Sequence, residues 1–397
     1  MEQAGDQPAI TDARLGVVAT VSDARDVPLA LQHAGRLAAI DWMRGLVMVL
    51  MTIDHGSLFF NAGRVADDSA GMWRAGSALP LDQFLTRWIT HLCAPTFLFL
   101  AGTSIALSSA RRRARGQSEA ATDRDLLIRG ALIAGLDLTY MSWLAGHHLL
   151  QVLYAIGVSM IAMVGVRRLP DRSIAALALG WFALGEPITA AVWHPPASSA
   201  LPAALSVAQL VDERTWIFYP FVPWLCIMAL GFVFGRSVLL DAGRAAQAPR
   251  ALLRLGAVCL LVFLLVRGAN GYGNMFLPRE DGSLAQWLHV SKYPPSLAYV
   301  ALELGLLALG LAGFFALGTR LGARPNHPLL VFGQTALFYY LLHFTLLGAG
   351  SELLGIARGG VGRAYLGALI ACALLYPVCL AFRRYKQTHP RSWVRFV

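Results

Sequence analysis

Apolar residues fall into ten runs, near residues 37–60, 84–108, 126–146, 149–166, 173–193, 216–235, 251–268, 297–318, 328–349 and 361–382. Runs of about twenty residues with few charges match the hydrocarbon thickness of a bilayer. The pattern therefore predicts an all-α polytopic integral membrane protein of about ten transmembrane helices. The weakest break is Gly146-His147-His148, between the third and fourth runs, where a half-membrane segment would also fit. Residues 1–35 are polar and alanine-rich and lack the basic-then-apolar pattern of a cleavable leader, so they read as a flexible cytoplasmic tail. Residues 36–385 form the transmembrane domain, and residues 386–397 a cytoplasmic C-terminal tail. Two connecting segments, residues 61–83 and 269–296, are too long for turns. With Trp73, Tyr272, Trp287 and Tyr293 among acidic, Gly and Pro residues, they suit interfacial or lid segments. No fixed-period repeat or low-complexity tract divides the chain.

Composition supports this class. Of 397 residues, 56% are hydrophobic and only 14% charged, which excludes an ordinary soluble multidomain protein and a disordered or fibrous chain. The net charge of +10 sorts by side of the membrane. With the N-terminus in the cytoplasm, the inner segments hold roughly 23 of the 33 basic residues and the outer ones about nine. Positive-inside thus places both termini in the cytoplasm of a multi-pass protein of the cell inner (plasma) membrane, and the basic balance calls for no nucleic-acid partner. Cys93, Cys226, Cys259, Cys372 and Cys379 lie inside apolar runs at scattered spacing. They fit small buried hydrophobes better than a metal site or disulfide framework.

Ionisable residues inside a span are expensive and point to function. In the first run Asp41, Arg44 and His55 share one helical face, because eleven steps from 44 to 55 turn only about 20° past three full circles. Arg44 lies roughly 12 Å in from Arg36 and His55 roughly 28 Å along, so one stripe offers polar groups at both depths. Asp41 and Arg44, three apart, can form an internal salt bridge. In the second run, which opens with Asp82 and Arg87, His91 enters to a depth comparable to that of His55, and Pro95 frees the His91 carbonyl and bends the helix. Arg267 and Asn270 close the seventh run, Lys292 precedes the eighth, Glu303 lies within it, and Tyr340 shares the ninth with His343. Asp137 and Glu186, without local partners, read as structural. The chain has no phosphate-binding Gly-Lys-Ser loop, dinucleotide fingerprint, Gly-x-Ser-x-Gly elbow or His-Glu-x-x-His. Any catalysis would use histidine and carboxyl groups near the membrane surface.

Several ordered motifs resemble bacterial relatives of heparan-α-glucosaminide N-acetyltransferase, in the transmembrane acyltransferase superfamily. They are Ile40-Asp41-Trp42-Met43-Arg44-Gly45 with Met51 and Asp54-His55, the stretch from His91 through Pro95 to Gly102, Tyr219-Pro220 with Pro223-Trp224, Lys292-Tyr293-Pro294-Pro295-Ser296-Leu297, and the stretch from Phe332-Gly333-Gln334 to His343. The resemblance spans roughly residues 36–345. It implies an enzyme that takes acetyl from acetyl-CoA on the cytoplasmic side and passes it to an amine or hydroxyl of a glycan on the far side, with a histidine as general base or acyl carrier. Acetyl-CoA would be a co-substrate, with no permanently bound cofactor and no metal, and analogy suggests a homodimer. This chain departs from the animal enzyme, which has Asn where Asp54-His55 stand here and a histidine in its first outer loop. On this reading His55 is catalytic with Asp54 or His91 assisting. Arg44 and Asp41 serve the donor, Arg44 as a partner for CoA phosphate. Arg267, Asn270, Lys292, Tyr340 and His343 serve the acceptor. The alternative is a transporter or flippase of a glycan or acyl species, for which the expected paired repeats are missing from the sequence.

Overall fold

A computed structural model of the chain describes residues 26–321 and 324–389, with Ser392 and Val394. The remaining parts of the two expected tails lie outside the described residues.

The first helix, α1 (Asp26–Phe60), begins ten positions before the expected boundary at residue 36 and runs from an end rich in arginine, the basic end, to the opposite, loop end. α2 (Leu81–Trp88) and α3 (Cys93–Ala114) return as one rod interrupted at residues 89–92. α4 (Glu119–Leu136) passes through a wide turn, Asp137–Met141, into α5 (Ser142–Ala145), and Gly146 stops it in the left-handed conformation at φ 73°. Strand β1 (His148–Leu150) leads to α6 (Val152–Val166) and α7 (Asp171–Ala190). The next connection holds α8 (Leu201–Ser206), β2 (Leu210–Val211) and β3 (Thr215–Ile217) before α9 (Phe221–Phe234) and α10 (Ala242–Ala269). α11 (Leu284–Leu288) sits in the second long loop, followed by α12 (Leu297–Leu321), α13 (Pro328–Gln334), α14 (Ala336–Leu353) and α15 (Val361–Thr388).

All ten expected segments contain helix, and the protein is a mostly helical polytopic membrane protein. Among the described residues seven helices are long and apolar enough to span, or eight if α13 and α14, bent by 100°, make one broken span. The other two segments fall short for physical reasons. α4 carries Asp123, Arg124, Asp125 and Arg129 in its first three turns. α6, with 15 residues, is about 22 Å long against a hydrocarbon core of about 30 Å. The sequence reading did not foresee a small sheet at the loop end, ordered β1–β3–β2, with β1 parallel and β2 antiparallel to β3.

α1 is the central post, packed against α3, α12, α13, α14 and α15. That explains why its polar stripe is tolerated: it faces protein rather than lipid. Close packing at the basic end depends on glycine. A Cβ on Gly45 would stand 1.8 Å from the Leu329 carbonyl oxygen, and one on Gly333 1.9 Å from that of Asp41, so α1 and α13 meet backbone to backbone. α15 and α10 bury the least, with 22% of their most apolar windows covered, so they present the broadest faces to the membrane.

Candidate active site between two cavities

Two cavities lie end to end within the bundle. One, about 300 Å³, lies toward the basic end and takes polar groups from Arg44, Ser104, Ser108, Arg129, Gln334 and Lys386. The other, about 370 Å³, lies toward the loop end and is lined by Asp54, His55, Arg64, Arg87, Lys292 and Tyr293 among others. Met51, Val152 and Tyr340 line both, so these three side chains form part of the wall between the cavities.

The stripe on α1 reaches both. At its basic end Arg44 donates to Asp41 Oδ1 at 2.8 Å, to the Gly333 carbonyl at 3.1 Å and to Ser104 Oγ at 3.1 Å, which realises the anticipated i, i+3 salt bridge. Asp41 spends its other oxygen on Gln334 Nε2, 3.2 Å away, and stands behind Arg44 rather than in the cavity wall. The kink between α13 and α14 puts Gly333, Gln334, Ala336 and Tyr340 around the same space.

At the loop end His55 Nδ1 lies 2.7 Å from His343 Nε2, with the rings stacked at 4.9 Å. His343 Nδ1 is 3.0 Å from the Tyr339 carbonyl, one helical turn back on α14. A carbonyl only accepts, so His343 carries its proton on Nδ1 and offers the lone pair of Nε2 to His55. His55 must then donate from Nδ1, and in the neutral ring its Nε2 keeps a lone pair. This chain of partners runs across 288 residues of sequence.

Asp54, next to His55, is turned to a different task. Both of its oxygens accept from Arg87 Nη1 at 2.7 Å, and Arg64 adds a bond at 2.9 Å. Arg87 reaches the other way to Asp68, through Nε at 2.7 Å and through Nη2, and to Tyr293 Oη at 3.2 Å. His91 completes this buried group with Nε2 3.2 Å from Asp68 Oδ1. His91 therefore sits behind the outer cavity wall, with Thr90 and Cys93 in the wall itself. Burial alone would raise the Asp68 carboxyl, but Arg87 and His91 hold it far below the usual carboxylate range. The helix is interrupted at residues 89–92, just before Pro95, and the freed His91 carbonyl accepts from Tyr299 Oη at 2.9 Å.

Arg267 and Asn270 are not brought to the cavity. Arg267 is fully buried and donates to Asn274 Oδ1 at 2.6 Å, to the Leu277 carbonyl at 3.0 Å, to the His289 carbonyl at 2.9 Å, and to the carbonyls of Trp287 and Gln286. Asn270 ends α10 at φ 53°, donating to the Arg279 carbonyl at 2.9 Å and accepting from the Arg279 amide at 2.6 Å. Together they shape the 269–296 loop. That loop docks on the 61–80 loop, where Glu280 accepts from Trp73 Nε1 at 2.5 Å and the Gly76 amide at 2.8 Å, and where Lys292 donates its amide to the Asp68 carbonyl at 2.8 Å. Lys292 and Tyr340 do line the outer cavity, and His343 supports it from behind His55. Asp137 accepts two backbone amides at the foot of α6, from Gln151 at 2.8 Å and Tyr154 at 2.7 Å. Glu186 accepts the Gly273 amide at 2.6 Å.

Sequence reasoning missed several wall residues. Arg64, Arg358, Trp216 in the small sheet and Phe218 just after it lie in connections without a motif, and Arg87 was given no role at the start of the second run. Arg129 and Lys386 looked like orientation signals, yet they line the inner cavity. Among the described residues no cluster of three or more His, Cys, Asp or Glu could hold a metal ion.

No curated protein was found to match the chain. A family match contains Asp41, Arg44, Asp54, His55 and His91, while Lys292, Tyr340 and His343 lie past its end and reach the site only through folding. Residues 36–267, more than half of the sequence, match the family described as heparan-alpha-glucosaminide N-acetyltransferase, catalytic, and the chain belongs to that family of membrane acetyltransferases.

Proposed function

We propose that the protein transfers acetyl from cytoplasmic acetyl-CoA to an amine or hydroxyl of an extracytoplasmic sugar, with His55 as general base. The single observation that carries this reading is the Tyr339–His343–His55 hydrogen-bond chain at the floor of the outer cavity, one side-chain layer from a second cavity bearing Arg44, Arg129 and Lys386. With the basic end in the cytoplasm, those three cations suit the phosphates of CoA, and the thioester arm would point along α1 toward Met51 and Tyr340.

The acceptor nitrogen or oxygen attacks the thioester carbonyl and gives its proton to His55 Nε2. The imidazolium so formed is stabilised by the lone pair of His343 Nε2 against its Nδ1 proton, much as an oriented acceptor steadies the base of a hydrolase triad. Collapse of the tetrahedral adduct breaks the carbon–sulfur bond, and the CoA thiolate leaves with that proton. Lys292 and Tyr340 face the space where the acceptor would stand and offer cationic and hydroxyl donors to it. Asp54 and Arg87 hold the outer end of α1 against the first long loop, so Asp54 acts as an ion-paired anchor.

Purified protein incubated with radiolabelled acetyl-CoA and a panel of glucosamine-containing acceptors is expected to yield acetylated sugar. His55→Ala is expected to retain donor binding and lose transfer. Unchanged transfer in that variant overturns the role of His55. Altered glycan uptake without any acetylated product favours the transport alternative.

A further inference from the structure

A third cavity, of about 340 Å³, takes no part in the chemistry above. It lies at the loop end between α14, α15 and the last turn of α1, and except for Arg363 its wall is apolar or glycine. Along α15 the lining runs from Arg363 through Leu366 and Ile370 to Leu374, a span of about 16 Å. Leu354, Leu366, Ile370 and Leu374 are 73%, 57%, 49% and 55% exposed on a helix pair whose outer face meets the membrane. The groove is thus a slot, long and narrow, open to lipid and capped at its headgroup end by a guanidinium.

It is also next to the outer cavity. Phe59 lines that cavity and Phe60 lines the groove, while Arg358 lines the cavity and Ile356 the groove. The wall between them is one helix end and one loop, joined by backbone bonds of 2.8 Å from Gly359 to the Phe60 carbonyl and from Ala62 to the Gly359 carbonyl. Arg363 donates to the Ala357 carbonyl at 2.5 Å, which holds it over this loop. Two arginines therefore stand between an apolar slot and the reactive histidine.

We propose that the groove holds the hydrocarbon tail of the acceptor, and that the acceptor is a saccharide joined through phosphate to a lipid. The tail lies along α15, the phosphate meets Arg363 and Arg358, and the sugar enters the outer cavity from the membrane side toward His55. The charge order matches such a molecule: an apolar chain, then an anion, then a polar sugar. The assignment rests on the acetyltransferase reading for its chemistry but not for its binding.

The full-length protein in nanodiscs can be tested with three probes: a long-chain alkyl ester of glucosamine phosphate bearing a photoreactive group on its chain, glucosamine phosphate without a chain, and a long-chain alkyl phosphate without sugar. Photo-crosslinks from the first probe are expected on α14 and α15 along the groove, and they should disappear in Ile370→Trp and Leu374→Trp, which fill it from the lipid side. In the acetylation assay those variants should lose about tenfold or more in kcat/KM for the chain-bearing sugar and leave the chainless one unchanged. Arg363→Gln should raise KM for the chain-bearing sugar alone. Crosslinks scattered over other helices, equal turnover of both sugars by the wild type, or equal loss for both in the variants overturns the proposal. So does full displacement by the sugar-free alkyl phosphate at equal concentration, which would mark a general lipid site. Crosslinks confined to the groove with no acetylation of either sugar sink the acetyltransferase reading and leave the tail site standing.

Discussion

At the scale of single residues, the deciding fact is which atom of His55 is free. Its Nδ1 proton goes to His343, and His343 gives its own to the Tyr339 carbonyl, so Nε2 is the nitrogen left for the proposed role of base. His55→Ala is expected to lower acetyl transfer by roughly 10²–10⁴-fold, as loss of a general base does, with donor binding retained in an equilibrium binding measurement. His343→Phe keeps the ring stack but removes the acceptor. It should lower kcat by a smaller factor and shift the pH–rate profile, whereas a purely structural role would change neither apart from yield. Arg87 is a second test. Removing it takes the guanidinium shared by Asp54 and Asp68 and leaves them only Arg64 and His91 as partners, so Arg87→Ala should destabilise the fold by about 3–5 kcal/mol in a thermal or denaturant unfolding measurement. The sequence shows the Asp41–Arg44 pair because three residues on a helix are neighbours in any fold. It does not show Asp54–Arg87 or His55–His343, since 33 and 288 residues separate those partners and only packing sets which faces meet.

At the scale of elements, breaks and close approaches position the site. Gly45 and Gly333 let α1 meet α13, and through the Gly333 carbonyl the contact also orients Arg44. Gly333→Ala would force the backbones apart; it should raise KM for acetyl-CoA and lower stability by about 1–3 kcal/mol, as overpacking does, and unchanged donor affinity would refute the link. The two long loops respond to pH through groups outside the bilayer. His289 donates from Nε2 to the Asp67 carbonyl at 2.9 Å, and burial lowers its affinity for a proton. Because the unfolded histidine titrates near pH ~6.5 and the folded one lower, the unfolded loop binds more protons, and stability falls as pH drops below about 6.5. Asp68, with its carboxyl held down by Arg87 and His91 against the effect of burial, keeps its contribution throughout that range and begins to lose it as pH falls through the usual carboxylate range, about 4. Asp67, raised by burial and by Asp68, acts in the opposite sense. Protection factors for hydrogen exchange in residues 61–80 and 269–296, taken relative to the intrinsic rate at each pH, should therefore fall between pH 7 and 5, and a flat profile would disprove the assignment. The ten apolar segments and the carbonyl freed by Pro95 are legible in the sequence because hydropathy and a missing amide act locally. The small sheet is not, because strands of two or three residues carry no period to read.

At the scale of the whole molecule, the proposed transfer depends on two cavities that share Met51, Val152 and Tyr340 in their walls. Met51→Trp should plug that junction, so that donor and acceptor still bind while kcat collapses. A variant with normal kcat would show that the reaction does not cross there. Hydropathy alone determined that this chain is a helical membrane protein, and the ordered motifs of its first two-thirds determined the family, because both are recorded in consecutive residues. Only the tertiary structure decided that Arg267 and Asn270 build a loop while Arg87, Arg129 and Lys386 reach cavities. All five read alike along the chain, as charged or polar residues near helix ends. What separates them is which neighbouring helix covers each one, and that is set by packing between segments far apart in sequence.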